Sequence, residues 1–537
     1  MKKGFTLIEL LAVIIILAII ALIATPIILN VIEDARKSAG LSESEMIMSG
    51  INNYCATSKI NAQLNSDYID ICSDSDEVTI EDVSNMVQLG NAKVLDVVYK
   101  NDKLLWLQVE SNGNIYSLEN NKMVIGEGNK EDIDLSGANA PKLYNNMIPI
   151  KYDGNNWIYA DTNEDWYNYD KKEWANAVVL NSGVIKNVGD TISGDEIALW
   201  YVWIPRYTYT IFNGNNESVE EQVIDVKFEN GTNSTGTVKC VDAINQTDSD
   251  GNQISEICTD STNGSIINGT STYTHPAFTF GSEELTGFWV GKFEISTIDD
   301  ACNATPNETN CNKVLPITIK PGVSSYRYAN NYNFFKSIKE INEDYNLNGD
   351  SHMIKNMEWG AIAYLKQSKY GLGLTDITIN NNGETYYTGG GGGNDYKDNV
   401  TQSTTGNIYG VYDLSGGSWE YVMANMVDTK GEFYTSDSGF TSVPEEKYYD
   451  KYSNGKNPTD RTVHTRGKLG DATKETLKIF GNLSGGWYGS MSRLPSSGNS
   501  WLPHGGNYDM TDEFGIFSYG HNNGGVTKYI SSRAILS

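Results

Sequence analysis

Apolar residues run from Leu10 to Leu29, broken only by Thr25 and Pro26. A stretch of that length is about what an α-helix needs to cross the hydrocarbon of a bilayer. Ahead of it stands MKKGFTLIE, with two lysines, one glycine and a single carboxylate, Glu9. An ordinary secretory signal has a shorter apolar centre and ends in a small-residue cleavage site, and no A-x-A follows here. A carboxylate inside an apolar segment costs roughly 2.5–3.5 kcal/mol on insertion scales, so Glu9 calls for a partner. Beyond Leu29 the pattern turns amphipathic, with Val31, Ala35, Ala39, Met46, Met48, Ile51 and Tyr54 on or near one face. The spacing predicts one helix over residues 5–58, spanning a membrane over 8–29. It would be about 80 Å long at ~1.5 Å per residue, loosened at Pro26 and Gly40.

The pattern then shortens. VLDVVY, KLLWLQV and NIYSLE, separated by turns, predict a small antiparallel sheet within 59–130. GEGNKEDIDLSGANAPK, rich in Gly, Asn, Asp and Pro and without periodicity, reads as a linker near 126–141. Residues 137–189 follow as an aromatic-rich β module, in which Trp157, Trp166 and Trp174 with Tyr152, Tyr159, Tyr167 and Tyr169 are expected to build a small core. Its acidic DTNEDWYNYD stretch lacks EF-hand spacing and reads as a solvated loop. From 190 to 537 the chain offers ALWYVWIPRYTYTIF, a polar insertion over about 213–275, LTGFWVGKFEIS and a helix around KNMEWGAIAYLKQSKYG. A glycine run at 389–393, expected to be flexible, GNIYGVYDLSGGSWEYVMANM and a Tyr- and Asn-rich ending complete it. The expected fold class is α+β.

With 39% hydrophobic residues, 33 Tyr and 11 Trp, the chain can build cores. A net charge of −28 excludes nucleic acid as a partner, because phosphate binding needs clustered Lys and Arg. The six cysteines form three close pairs in sequence, Cys55 with Cys72, Cys240 with Cys258 and Cys302 with Cys311. Six cysteines allow about fifteen connectivities; in an exported chain three local disulfides are the simplest. The five histidines show no ligand spacing and no G-x-S-x-G elbow occurs, so no catalytic constellation is evident.

KKG followed by FTLIEL resembles the type IV prepilin signal. The resemblance implies a leader of residues 1–4 cut by a prepilin peptidase between Gly4 and Phe5, methylation of the new amino terminus, and pairing of Glu9 with the amine of a neighbouring subunit. It implies residence in the cytoplasmic membrane as a prepilin, then extracellular display in a pilus or pseudopilus beside other pilin subunits.

A second resemblance rests on the W-x-x-A-x-x-Y-like helix at Trp359 to Tyr364, on GVYDLSGGSWEYV, and on HGGNY and SSRAIL with Arg533. These blocks resemble the sulfatase-modifying factor, or formylglycine-generating enzyme, family, a variant of the C-type lectin fold. The oxidase members use a late pair of reactive cysteines, and this chain has none after Cys311. The resemblance therefore implies the fold without the activity, and no enzyme is expected. No cofactor is required; a structural calcium held through Glu420 is the one metal that the family implies.

A rigid scaffold ending in Tyr, Asn, Ser, Gly and Trp suits ligand binding, since such residues favour adaptable contact surfaces. The expected lining is Trp487, Tyr488, Trp501, Asn507, Tyr508, Asp509, Tyr519, His521, Asn522, Asn523 and Tyr529, with Ile516 and Phe517 in the core. The ending also resembles the variable proteins of diversity-generating retroelements. The combined expectation is a minor pilin carrying a non-enzymatic adhesin head for a cell-surface, glycan or protein ligand. The alternatives are a pseudopilin of a type II-like secretion system binding exported cargo, and a pilus-displayed enzyme.

Overall fold

The computed structural model describes the chain apart from residues 1–5, 66–69, 71, 73–77, 215–216, 235, 237, 262–263, 267–271, 382–385, 429, 434–436, 455–456 and 510–513. It divides into two compact units, Met1–Leu135 and Ser136–Ser537, and the boundary falls inside the stretch that reads as a linker. The arrangement is α+β: a long N-terminal helix followed by antiparallel sheets.

Helix α1 spans Leu7–Leu64, 58 residues with Pro26 inside it. It runs six residues beyond the expected end at Ser58, because KINAQL contains no Gly or Pro and four of its six residues, Lys59, Ala62, Gln63 and Leu64, are good helix formers. From Leu7 to Ile32 its large apolar side chains are exposed. Farther on, one face is buried through Gly40, Ser44, Ile47, Ile51, Cys55 and Ser58. This corrects the expected stripe: Ile51 is in it, whereas Val31 and Met46 are exposed. Small residues, which carry no hydrophobic signal, make up half of the contact face. After a short helix α2 (Ile80–Met86), strands β1 (Lys93–Lys100), β2 (Lys103–Ser111), β3 (Asn114–Glu119) and β4 (Lys122–Ile125) form an antiparallel meander that packs on α1. Cys55 on α1 is bonded to Cys72.

In the second unit an eight-stranded sheet contains β5 (Met147–Tyr152), β6 (Trp157–Tyr159), β7 (Asn176–Leu180), β8 (Thr191–Ile192) and β9 (Ile197–Pro205). It continues from β9 through Gly287–Gly291 and Ala534–Leu536 to Ser351–Met353. The aromatic-rich stretch at 137–189 is thus not a module with its own core. β7 pairs directly with β9, and Trp174 lies with Trp200, Trp203 and Trp289 in one core. Lys292 ties the same parts together. It is wholly buried, donates to Asn176 Oδ1 at 2.8 Å and the Ile408 carbonyl at 2.6 Å, and stands over the rings of Trp157, Trp200 and Tyr412. Burial holds its ammonium well below the usual lysine range.

A second sheet is built on Trp419–Met426, paired with Trp501–His504 antiparallel and with Asp450–Tyr452 and Ile530–Ser532 in parallel. The polar insertion contributes a hairpin, Val238–Thr247 with Gln253–Asp260, in which Cys240 faces Cys258 across the ladder and is bonded to it. Cys302 and Cys311 are bonded as well. The first part of the glycine run expected to be flexible is packed: Gly389 and Gly390, at φ 69° and 77°, are buried, whereas Gly392 and Gly393 are exposed. A Cβ on Gly389 would lie 2.8 Å from Tyr396, and its amide donates to Asp413. Glycine is used there for close approach at positive φ.

Gly40 carries a sharp prediction. Glycine inside a helix costs roughly 0.8–1.0 kcal/mol relative to alanine, so Gly40→Ala should stabilise on propensity alone. A Cβ at Gly40 would instead lie 2.4 Å from Tyr116 Oη, whose hydroxyl donates to the Lys37 carbonyl at 2.9 Å. Overpacking of this kind costs about 1–3 kcal/mol. Gly40→Ala is therefore expected to destabilise the first unit, read as faster limited proteolysis between α1 and β3, and Tyr116→Ala in the same chain should remove the clash.

Candidate functional sites

Gly4 and Phe5 lie outside the described residues. Glu9 sits in the first turn of α1, exposed, and its Oε2 accepts from the Thr6 amide at 2.9 Å and the Thr6 hydroxyl at 2.8 Å. A carboxylate at a helix start satisfies otherwise unpaired amides. Glu9 is thus held at the end of the apolar segment without a cationic partner among the described residues.

In the second unit a cavity of about 440 Å³ is lined by Trp419, Met491, Arg493, Pro503, Asn507, Asp509, Gly520, His521, Asn522, Thr527, Tyr529 and Ile530. The second sheet positions it, because Trp419, Pro503 and Ile530 stand on three adjacent strands and the connecting loops supply the polar side chains. Five of the expected binding residues meet here: Asn507, Asp509, His521, Asn522 and Tyr529. The others go elsewhere. Trp487, Trp501 and Tyr519 are fully buried core residues, as are Ile516 and Phe517. The indole of Trp487 donates to the Val219 carbonyl. Trp501 stacks on Phe440, and Tyr519 packs beside His504. Tyr488 packs on Phe517, its hydroxyl accepting from Gln367 Nε2 at 2.6 Å. Tyr508 meets Tyr386 edge-on at 4.4 Å, and Asn523 donates to Asp437. The large aromatics were misplaced because burial area draws them inward even from a loop-rich ending.

Trp419, Met491, Arg493 and Thr527 went unrecognised. Trp419 was visible beside Glu420, yet no local pattern distinguishes Arg493 in MSRLP. His521 is held neutral. Arg461 donates through Nη1 to its Nε2 at 3.2 Å, and an arginine can only donate, so the ring proton sits on Nδ1, 3.1 Å from Ser496 Oγ. Burial, then the charges of Arg461, Arg493 and Arg466, lower its pKa to about 4.

Beside the cavity wall, Glu420 next to Trp419 is wholly buried. Its two oxygens accept from Arg533, Nε to Oε2 at 2.9 Å and Nη2 to Oε1 at 2.5 Å. Glu294 and Asp413 belong to the same electrostatic cluster. Burial raises Glu420 to about 7 and Asp413 to about 6, against the pull of Arg533, and holds Glu294 well above the usual range. Each Glu420 oxygen accepts one guanidinium hydrogen bond, so a calcium ion held through Glu420 would have to share it with Arg533. Among the described residues the one convergent group of potential ligands is Cys240, Glu256 and Cys258, whose sulfurs are joined to each other.

The prokaryotic N-terminal methylation motif matches residues 1–25. No curated protein matches the chain. With the apolar helix that follows, the motif gives the chain a type IV pilin-like signal, which supports a type IV pilin or pseudopilin. It implies a prepilin peptidase and other pilin subunits as partners, and a membrane-anchoring helix in the precursor.

A carboxyl whose folded pKa lies above its unfolded value, near 4, stabilises most below that unfolded value and loses this contribution as pH rises through the folded pKa. For Asp413 and Glu420 the window runs from about 4 to the folded values of about 6 and 7. Glu294→Gln copies the protonated form. Its gain in thermal stability over the parent chain should be near zero at acid pH and grow steadily as the pH rises to 8. Arg533→Met leaves Glu420 buried and unpaired and should cost about 3–5 kcal/mol, measured by denaturant unfolding at neutral pH.

Proposed function

We propose that this chain is a minor type IV pilin whose second unit is a non-enzymatic adhesin head with a lectin-type fold, displayed on a surface filament. One observation carries the reading: a cavity in the second unit gathers five side chains chosen from the sequence as ligand contacts, while the motif for filament assembly lies on the other unit. The size of the head, about four hundred residues, favours a minor subunit, since such a mass is hard to pack at every position of a wound filament. The resemblance to the sulfatase-modifying factor family gains support from Glu420 and Arg533. They belong to the two separated motifs that suggested it, and they meet as a buried ion pair. The absence of catalysis is argued from chemistry: all six cysteines are in disulfides, so the thiol route of that family has no thiol.

The head is tested by binding of the full-length chain, purified in detergent, to host and bacterial cells, matrix proteins and glycans, with and without calcium. Saturable binding should fall about tenfold in Tyr529→Ala, whose side chain is exposed at the cavity, with no change in melting temperature. Absence of binding to all of these targets would contradict an adhesin. Assembly is tested separately. Glu9→Ala should leave membrane insertion intact and reduce recovery of the chain in sheared filaments, because the lost carboxylate matters once a neighbour's amine is near. Equal incorporation would contradict that role.

A further inference from the structure

We infer that the cavity beside Trp419 takes an uncharged saccharide ring and holds it without a metal ion; this rests on the adhesin reading above. The cavity is built on a gap. Gly520 is part of its lining, and its φ is outside the left-handed region, so the backbone does not call for glycine there. A Cβ added at Gly520 would stand 3.3 Å from Met491, 3.5 Å from Pro503 and 3.6 Å from Trp419, all three of them lining residues. The missing side chain therefore leaves the floor open. At about 440 Å³ the space lies within the range of small-molecule sites. Trp419, Met491, Pro503 and Ile530 give it an apolar and aromatic base of the kind on which the C–H face of a sugar ring packs.

The polar groups left open in the lining are amides. Asn522 is fixed in orientation: its Oδ1 accepts from the Tyr421 hydroxyl and from the Gly524 amide at 3.2 Å, so its Nδ2 is the end that remains to donate. Asn507 is 2% exposed, and its Oδ1 is buried without a hydrogen-bond partner among the described residues. A buried amide left unpaired is costly to the fold. A half-turn about its last side-chain bond exchanges the oxygen and the nitrogen, and hydroxyls, which both donate and accept, satisfy either end. Charge does not choose the ligand. Arg493 and Asp509, of opposite sign, stand in the same lining, and His521 is neutral with its ring nitrogens engaged by Arg461 and Ser496. Among the described residues Asp509 is the sole carboxylate of the lining, too little for a calcium ion, which takes roughly six to eight oxygens. A purely apolar ligand would leave the amides of Asn507 and Asn522 without partners, and a charged one would meet offsetting charges. A neutral sugar ring, with one C–H face and a rim of hydroxyls, suits both the base and the amides.

The test is a titration of the full-length chain, in a detergent without a sugar headgroup, followed by tryptophan fluorescence and calorimetry. The probes are glucose, galactose and N-acetylglucosamine, with glucuronic acid and glucosamine as charged counterparts, each repeated in EDTA and at high salt. At least one neutral sugar should saturate, no charged counterpart should bind more tightly, and neither EDTA nor salt should change the affinity. Asn522→Asp keeps the oxygen that receives Tyr421 and Gly524 and removes the donor, and it should weaken binding about tenfold. Asn507→Leu, of similar size, should weaken binding about tenfold while the melting temperature holds or rises, because an apolar group replaces an unpaired amide. Should that variant fail to fold, Asn522→Asp decides alone. Tighter binding of a charged sugar, a requirement for calcium, or full affinity in either folded variant would overturn the inference. Absence of saccharide binding would overturn it too. In that case saturable binding to cells or matrix proteins leaves the adhesin reading standing with a protein as its ligand, and loss of that binding removes both.

Discussion

From Leu7 to Ile32 the large apolar side chains of α1 point outward on every face, and the rest of the architecture is arranged around that fact. Apolar surface exposed over so many turns must be covered by lipid or by other copies, at roughly 25 cal/mol per Å². A lone anchor would be content with lipid, but Glu9 is not, because its charge has no cationic partner in the described chain. An assembly of such helices meets both requirements at once. Farther along the same helix, Gly40 faces Tyr116 of the four-stranded meander, Ser58 donates to Asp70, and Cys55–Cys72 ties the helix to the segment that follows.

The second unit is held by a different device. Its two largest sheets share one short segment of the chain: Ile530–Ser532 pairs with the strand of Trp419, and Ala534–Leu536 enters the eight-stranded sheet. Arg533 lies between these two strands and reaches Glu420. The ion pair therefore pins the join between the sheets directly behind the cavity wall formed by Trp419 and Ile530. Burying two ions is costly unless the geometry satisfies them. Here both carboxylate oxygens are bonded, and Arg533 also donates to the carbonyls of Gly291 and Tyr412.

The export signal was legible because it is local: charge, glycine, apolar run and carboxylate lie within thirty residues. The sheet strands of the first unit were legible for the same reason, from alternation and turns. The helical contact face was not, because glycine and serine do their packing through smallness, which leaves no hydrophobic period. Nor was the unity of the second unit. Residues 137–189 look self-sufficient in aromatics, and the pairing of β7 with β9 becomes visible only when the ladder is seen. At the cavity, the loop residues Asn507, Asp509, His521, Asn522 and Tyr529 could be picked from composition. Arg493 could not, since nothing local in MSRLP marks it and only the fold brings it to the cavity wall. Glu420 stood out through the family resemblance, which points to a cation; that the fold also brings Arg533 onto its two oxygens was not visible in the sequence.

The central claim, that this head travels on a pilin stem, is most directly tested by mass spectrometry of surface filaments sheared from cells that express the chain. A terminal peptide beginning at N-methylated Phe5 is expected in the sheared fraction, together with peptides from the second unit. A chain retaining Met1 to Gly4, confined to the membrane fraction and absent from sheared material, would contradict it.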